Sequence, residues 1–186
     1  MVARFGKEND QVCLADLDFK FPKDVYPVGR LDADSEGMLV LTSDPRMNQE
    51  LIGPRSRHAR TYLVQVEGAI TDEACKKIAG GIQISVDGEV YKTQPCIVRK
   101  LEGEPDIPER VPPIRFRKNI PTSWIEVELK EGKNRQVRKM TAAAGFPTLR
   151  LVRKSIGSLK IGKMQPGEVK EFVQKEILDL LDVRIL

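Results

Sequence analysis

Apolar and polar residues alternate with a period of two from Arg60 to Glu67, which predicts a strand with Tyr62, Val64 and Val66 on one face. Residues 124–130 alternate as cleanly and predict a second strand, with Ile125, Val127 and Leu129 inward and Glu126 and Glu128 outward. The apolar run at residues 38–42 predicts a short buried strand, and residues 149–151 another, with leucine and arginine on opposite faces. A helical period replaces the alternation twice. Thr71 suits a helix N-cap, Asp72 and Glu73 the first turn, Ala74 and Ile78 the inward stripe and Gly80 the stop. Residues 133–144 predict a helix with Val137, Met140 and Ala144 inward, capped by Gly145 and ended by Phe146-Pro147. Between them, Pro105, Pro108, Pro112, Pro113 and Pro121 predict an extended loop. Residues 1–27 are polar and turn-rich. Strands dominate and no βαβ alternation is present, so the fold class is α+β. No internal repeat is visible.

A chain of 186 residues suffices for one sizeable core, or for two small subdomains sharing a sheet. No apolar run approaches the roughly 20 residues of a membrane span and no signal peptide is visible, which predicts a cytoplasmic protein with no membrane partner. Cys13, Cys75 and Cys96 are odd in number and widely spaced, so they read as small apolar side chains in a reducing compartment. The single histidine, His58, argues against His-rich metal sites and a Ser-His-Asp arrangement.

Charge distribution changes the picture. The chain is +4 overall, yet residues 130–163 hold ten Lys/Arg against Glu131 alone, a local net charge of +9. Three acids, Asp32, Asp34 and Glu36, crowd into the loop Gly29-Arg30-Leu31-Asp32-Ala33-Asp34-Ser35-Glu36-Gly37. A carboxylate cluster pinned between glycines beside a buried strand suggests chemistry or cation binding, because unpaired charges rarely sit near a core. As a calcium loop, these acids and Gly37 fill positions 1, 3, 5 and 6 of an EF-hand pattern, but the twelfth position is Ser43 and a strand follows. A solvated acidic turn is the plainer alternative. The run Gly132-Lys133-Asn134-Arg135-Gln136 suits phosphate and base-edge contacts, with a solvated basic face as its alternative. An acidic loop and a basic surface on one chain fit an enzyme acting on nucleic acid. Tyr62 and Leu151 read as core residues on composition alone.

The string from Val28 through Asp32 to Thr42 resembles the hallmark motif of the RsuA/RluB/E/F family of RNA pseudouridine synthases. Arg60-Thr-Tyr62-Leu-Val-Gln-Val-Glu-Gly68 resembles the second motif of that family and Glu131-Gly-Lys-Asn-Arg-Gln-Val-Arg138-Lys-Met140 the third, in the same order. The resemblance covers roughly residues 15–175. It implies the pseudouridine synthase catalytic fold: a mixed, mainly antiparallel sheet with flanking helices, two small subdomains sharing that sheet. Residues 1–186 are expected to form a single catalytic domain with no S4-type RNA-binding module. Members commonly begin with an apolar strand carrying a Lys-Pro-x-Gly turn, which is not found here, so a truncated start and a sheet short of one strand are expected. Arg60 stands where the second motif usually opens with lysine, which keeps the charge but alters hydrogen-bond geometry.

The resemblance also implies an activity: isomerisation of a specific uridine of 23S rRNA to pseudouridine. Asp32 takes the place of the essential aspartate, Arg138 supplies its counter-charge, Tyr62 stacks on the flipped base and Leu151 forms the apolar floor. RNA contacts are expected from Arg30, Arg60, Arg115, Arg117, Lys133, Asn134, Arg135 and Gln136. No metal and no organic cofactor are implied, since nothing is oxidised. The expected partner is 23S rRNA, naked or in early assembly intermediates, bound by a monomer with no obligatory protein partner. The alternative is a non-catalytic RNA-binding or ribosome-assembly protein on the same fold.

Overall fold

The computed structural model describes residues 2–6, 11–53, 56, 58–114 and 120–184. A 3₁₀ turn at Leu14–Asp16 precedes three two-residue strands, β1 (Tyr26–Pro27), β2 (Glu36–Gly37) and β3 (Leu41–Thr42), then helix α1 (Pro45–Ile52). Next come β4 (Arg60–Glu67), α2 (Asp72–Ala79), β5 (Gln83–Val86), β6 (Glu89–Lys92) and β7 (Ile97–Lys100). The chain closes with β8 (Thr122–Leu129), α3 (Gln136–Ala143), β9 (Thr148–Ile156), β10 (Leu159–Lys160) and α4 (Gln174–Leu181).

The main sheet runs β10-β9-β4-β8-β7, all antiparallel, with β2 added in parallel along β9. This is the mixed, mainly antiparallel α+β arrangement expected. β4 lies in the middle because it is apolar on both faces. Tyr62, Val64 and Val66 meet Ile125, Val127, Leu129, Leu151 and the apolar stripes of α2 and α3 in the larger core. Leu63 on the opposite face packs with Trp124 and Val152 beneath Leu101 and Ile107. That second face is not left to solvent: the proline-rich segment covers it. A further core, built on Met47 and Leu51 of α1, Ile156, Leu159 and Leu181 of α4, sits around the β9–β10 hairpin.

The local chemistry read from the sequence holds in α2, where Thr71 accepts from the Ala74 amide and Gly80 caps the end. Two expectations shift. The strand expected at residues 38–42 is reduced to Leu41–Thr42, because the chain changes partner there: Met38 N donates to the Arg153 carbonyl of β9 (3.0 Å), whereas Val28 N donates to Val40 on the β1 side (2.8 Å). The helix expected from residue 133 begins at Gln136, since Arg135 takes a left-handed conformation (φ 51°, ψ 33°) and no helix continues through it.

All three cysteines are free. Cys13 and Cys75 are buried, and burial pushes the Cys96 thiol up to about 11, which suits inert packing residues. Among the described residues no helix is long and apolar enough to cross a membrane.

Candidate active site

The acidic loop is shaped by its two glycines, Gly29 (φ +71°) and Gly37 (φ +103°), with a turn closed by Ser35 N donating to the Asp32 carbonyl at 2.8 Å. At Gly37 the loop presses against β9. A Cβ there would stand 2.4 Å from the Arg153 carbonyl oxygen and 2.5 Å from its nitrogen, so only glycine permits the approach. The parallel register sets Gly37 against Arg153 of β9, and Arg153 lies opposite Tyr62 of β4. Leu151 faces Val64 two pairs along. The end of the acidic loop, Tyr62 and Leu151 are thereby gathered on neighbouring strands, although 119 residues separate Asp32 from Leu151 in the chain.

Arginines from the start of α3 meet the loop. Arg135 grips Asp34 with two bonds, Nη1 to Oδ1 at 3.0 Å and Nη2 to Oδ2 at 2.9 Å, and its Nη1 lies 3.4 Å from Asp32 Oδ2. Arg138 donates to the Asp34 carbonyl at 2.8 Å and stands 3.5 Å from the Asp34 carboxylate. Among the described residues Arg135 is the cation within ion-pair distance of Asp32, while Arg138, expected beside Asp32, feels the Asp32 charge from further away. The left-handed backbone at Arg135 puts it outside the helix proper, whereas Arg138 sits within the first helical turn. Hydrogen bonds from Arg135, reinforced by the charge of Arg138 and opposed by burial, hold the Asp34 carboxyl below its usual value. Burial pushes the Arg138 guanidinium down despite the charge of Asp34.

Glu36 turns elsewhere. Arg150 contacts it at 2.8 Å and 3.0 Å and also donates to the Pro108 carbonyl at 2.7 Å, while Arg110 adds a third contact at 2.7 Å. The clamp ties the acidic loop, β9 and the proline-rich segment together. Burial raises the Glu36 carboxyl, but the hydrogen bonds and charges of Arg150 and Arg110 outweigh it, and the net shift is downward. A lowered carboxyl contributes stability that is present above about pH 4.5, its ordinary value, and lost as pH falls through the folded value. Glu36→Gln should cost about 1–2 kcal/mol at pH 7, because it leaves Arg150 buried without its counter-charge. Melting curves of both proteins from pH 7 to 3 should converge at the acid end; a constant gap would deny the clamp its ionic character.

Each acid of the loop is thus directed at arginine rather than at a shared centre, and among the described residues no group of acids, histidines or cysteines converges to hold a metal. The calcium geometry considered from sequence is not formed.

The ten-cation segment is not the single basic surface its composition suggests. Arg135 and Arg138 face Asp34, Arg150 pairs with Glu36, Lys154 pairs with Glu126 at 2.5 Å, and Arg153 is buried. Lys130, Lys133, Lys160 and Lys163 remain exposed. Lys133 lies over the Tyr91 ring at 4.9 Å, and Asn134 is exposed beside Lys139. Gln136, expected at the RNA surface, is instead 4% exposed: its amide donates to Glu131 and its oxygen accepts from Lys133 N, closing the turn before α3. Arg60 donates to the Leu51 carbonyl at 2.7 Å and so fastens β4 to the end of α1. Arg30 is exposed on the acidic loop. Arg115 and Arg117 lie outside the described residues. Neither the Glu36 clamp nor Arg153 was anticipated. The signal available was the pair of arginines, Arg150 and Arg153, inside an otherwise apolar strand.

The family model described as RNA pseudouridylate synthase matches residues 3–143. The chain belongs to the RNA pseudouridylate synthase family. It is 50% identical over 149 residues to ribosomal large subunit pseudouridine synthase E of Vibrio parahaemolyticus, covering 80% of this chain and 60% of that protein. To the protein of the same name from Xanthomonas campestris it is 46% identical over 151 residues, covering 81% and 79%. A crystal structure of a pseudouridylate synthase superposes with a TM-score of 0.68 at 25% identity, over 87% of this chain and 63% of that one. A chain of a Cbf5-Nop10-Gar1 complex shares the fold, with a TM-score of 0.50 at 16% identity over 79% and 43%. The chain thus spans about 60% of the length of its Vibrio relative. In this pseudouridylate synthase fold the loop, Tyr62 and Leu151 meet where the short parallel strand joins the sheet.

Proposed function

We propose that the protein is an RNA pseudouridine synthase that converts a uridine of 23S rRNA to pseudouridine, with Asp32 as its essential carboxylate. The observation that carries this reading is the junction of β2 with β9. It brings the acidic loop, the strand of Tyr62 and Leu151 together, and α3 supplies arginines to the same loop. Membership of the family and similarity to large-subunit rRNA synthases support the substrate class.

Isomerisation requires cleavage of the C1′–N1 bond, rotation of the uracil and formation of a C1′–C5 bond, with the C5 hydrogen lost to solvent and a proton gained at N1. A carboxylate attacks carbon or assists removal of a proton only while ionised, and the Arg135 Nη1 stands 3.4 Å from Asp32 Oδ2. Tyr62 offers a ring face for the extruded base, and Leu151 an apolar floor. The target uridine leaves its stack to reach them. Lys130, Lys133, Lys160 and Lys163, with Arg30, supply phosphate contacts. The substrate is naked 23S rRNA or an early assembly intermediate, and the protein acts as a monomer in the cytoplasm. The test is tritium release from 23S rRNA carrying [5-³H]uridine, with carbodiimide mapping of the product. Absence of both release and a new carbodiimide-resistant stop would refute the enzymatic reading and favour a binding role.

Arg135 is proposed to position the acidic loop rather than to contact phosphate. Since it is fully engaged with Asp34 and adjoins Asp32, Arg135→Ala should lower turnover about tenfold while leaving the slope of log K against log salt unchanged. A slope reduced by about one with intact turnover would make it a phosphate contact instead.

A further inference from the structure

The strand pair that carries Tyr62 also carries a buried positive charge with no carboxylate partner among the described residues. Arg153 is 5% exposed: burial pushes its guanidinium down, the charge and a side-chain hydrogen bond of the Tyr62 hydroxyl oppose that, and the charge of Arg60 adds to it. Its Nε donates to the Met38 carbonyl at 2.7 Å. Its Nη2 is buried with no hydrogen-bond partner among the described residues. Burying a guanidinium without a carboxylate and leaving a donor unfilled is costly, and a purely structural cation is normally matched. Arg150, three residues earlier in the same strand, shows the matched case, held by Glu36. Stability alone therefore does not account for Arg153.

Its position does. Arg153 and Tyr62 are directly opposed on antiparallel strands, so their side chains are neighbours on one face, the face that also holds Leu151. Through Met38 and Gly37 the same residue touches the end of the acidic loop. We propose that Arg153 is a positioning residue for Tyr62: its guanidinium, which already acts on the Tyr62 hydroxyl in this structure, donates to the hydroxyl oxygen and turns the hydroxyl hydrogen toward the base, while Nε holds the acidic loop at a fixed height beside it. A tyrosine oxygen that accepts from a buried cation has one remaining direction for its own hydrogen. The ring is thereby oriented as well as stacked, and the loop and the tyrosine share one anchor. This rests on the pseudouridine synthase reading and adds to it a residue that touches neither the ribose nor the base.

The experiment compares wild type, Arg153→Met, Arg153→Lys, Tyr62→Phe and the Arg153→Met/Tyr62→Phe double variant. Turnover is read by tritium release from 23S rRNA, and the tyrosines by ¹³C NMR of protein labelled at tyrosine Cζ. Methionine fills similar length without charge, and replacing an unpaired buried cation by an apolar side chain preserves the fold. Arg153→Met should lower kcat at least tenfold with KM unchanged, and Arg153→Lys should recover part of that loss. In the Tyr62→Phe background the same substitution should cost at least threefold less, because the oxygen it serves is gone and only the loop anchor through Nε remains to be lost. The Tyr62 Cζ resonance should move in Arg153→Met while those of Tyr26 and Tyr91 stay. Equal losses in both backgrounds, or an unmoved Tyr62 resonance, overturn the proposal. Should the methionine variant not fold, the lysine variant in the two backgrounds provides the same comparison. If wild type releases no tritium, the proposed function falls, and the resonance comparison still decides the role of Arg153.

Discussion

Asp32→Asn should abolish pseudouridine formation, lowering single-turnover rates by at least about a thousandfold, while RNA affinity changes less than about twofold. The amide is isosteric, so the loop keeps its shape: the glycine-bounded turn, the Asp34–Arg135 grip and the Glu36 clamp do not involve the Asp32 side chain. Affinity should persist because the exposed lysines proposed to meet phosphate lie on other elements. Rates are measured by tritium release with enzyme in excess, and affinity by filter binding at fixed salt. Activity within tenfold of wild type would remove Asp32 from the chemistry.

The second large effect is expected at a residue with no side chain. Gly37→Ala places a methyl group 2.4–2.5 Å from backbone atoms of Arg153, at a φ of +103° that other residues rarely adopt. Neither component can relax locally, since the obstacle is the backbone of β9, which pairs with β4 on its other side. The loop must lift away, losing the β2–β9 pairing and the Met38 bonds to Arg153. The cost should be about 2–4 kcal/mol of stability. Turnover should fall about a hundredfold even where the protein remains folded, because a displacement near 1 Å misplaces Asp32. Thermal melts and single-turnover rates check the two parts separately. Wild-type values for both would show that the close approach has no role.

These two expectations differ in how visible they are in the sequence. Asp32 stands inside a recognisable motif, and so do Tyr62 and Arg138. The consequence of Gly37 depends on what lies beneath it, 116 residues further along the chain. The same contrast separates Arg135 from Arg138. Their spacing indicates two neighbouring cations, yet the fold sets Arg135, left-handed and just outside the helix, within ion-pair distance of Asp32.

Periodicity by itself determined β4, β8 and α2, because burial of alternate or every third to fourth apolar side chain is a local constraint on a local pattern. Motif order determined the family, since the acidic loop, the tyrosine strand and the basic helix each keep their own chemistry wherever they are placed. What only the tertiary structure decided is the partner of each charge. The residues 130–163 look like one basic surface in composition, but Arg135, Arg138, Arg150 and Lys154 face acids from distant elements and Arg153 is enclosed by the sheet. A side chain's charge is written in the sequence. Whether it reaches solvent, RNA or a carboxylate depends on strand register, and the parallel pairing of two residues, Glu36 and Gly37, onto β9 sets that register here.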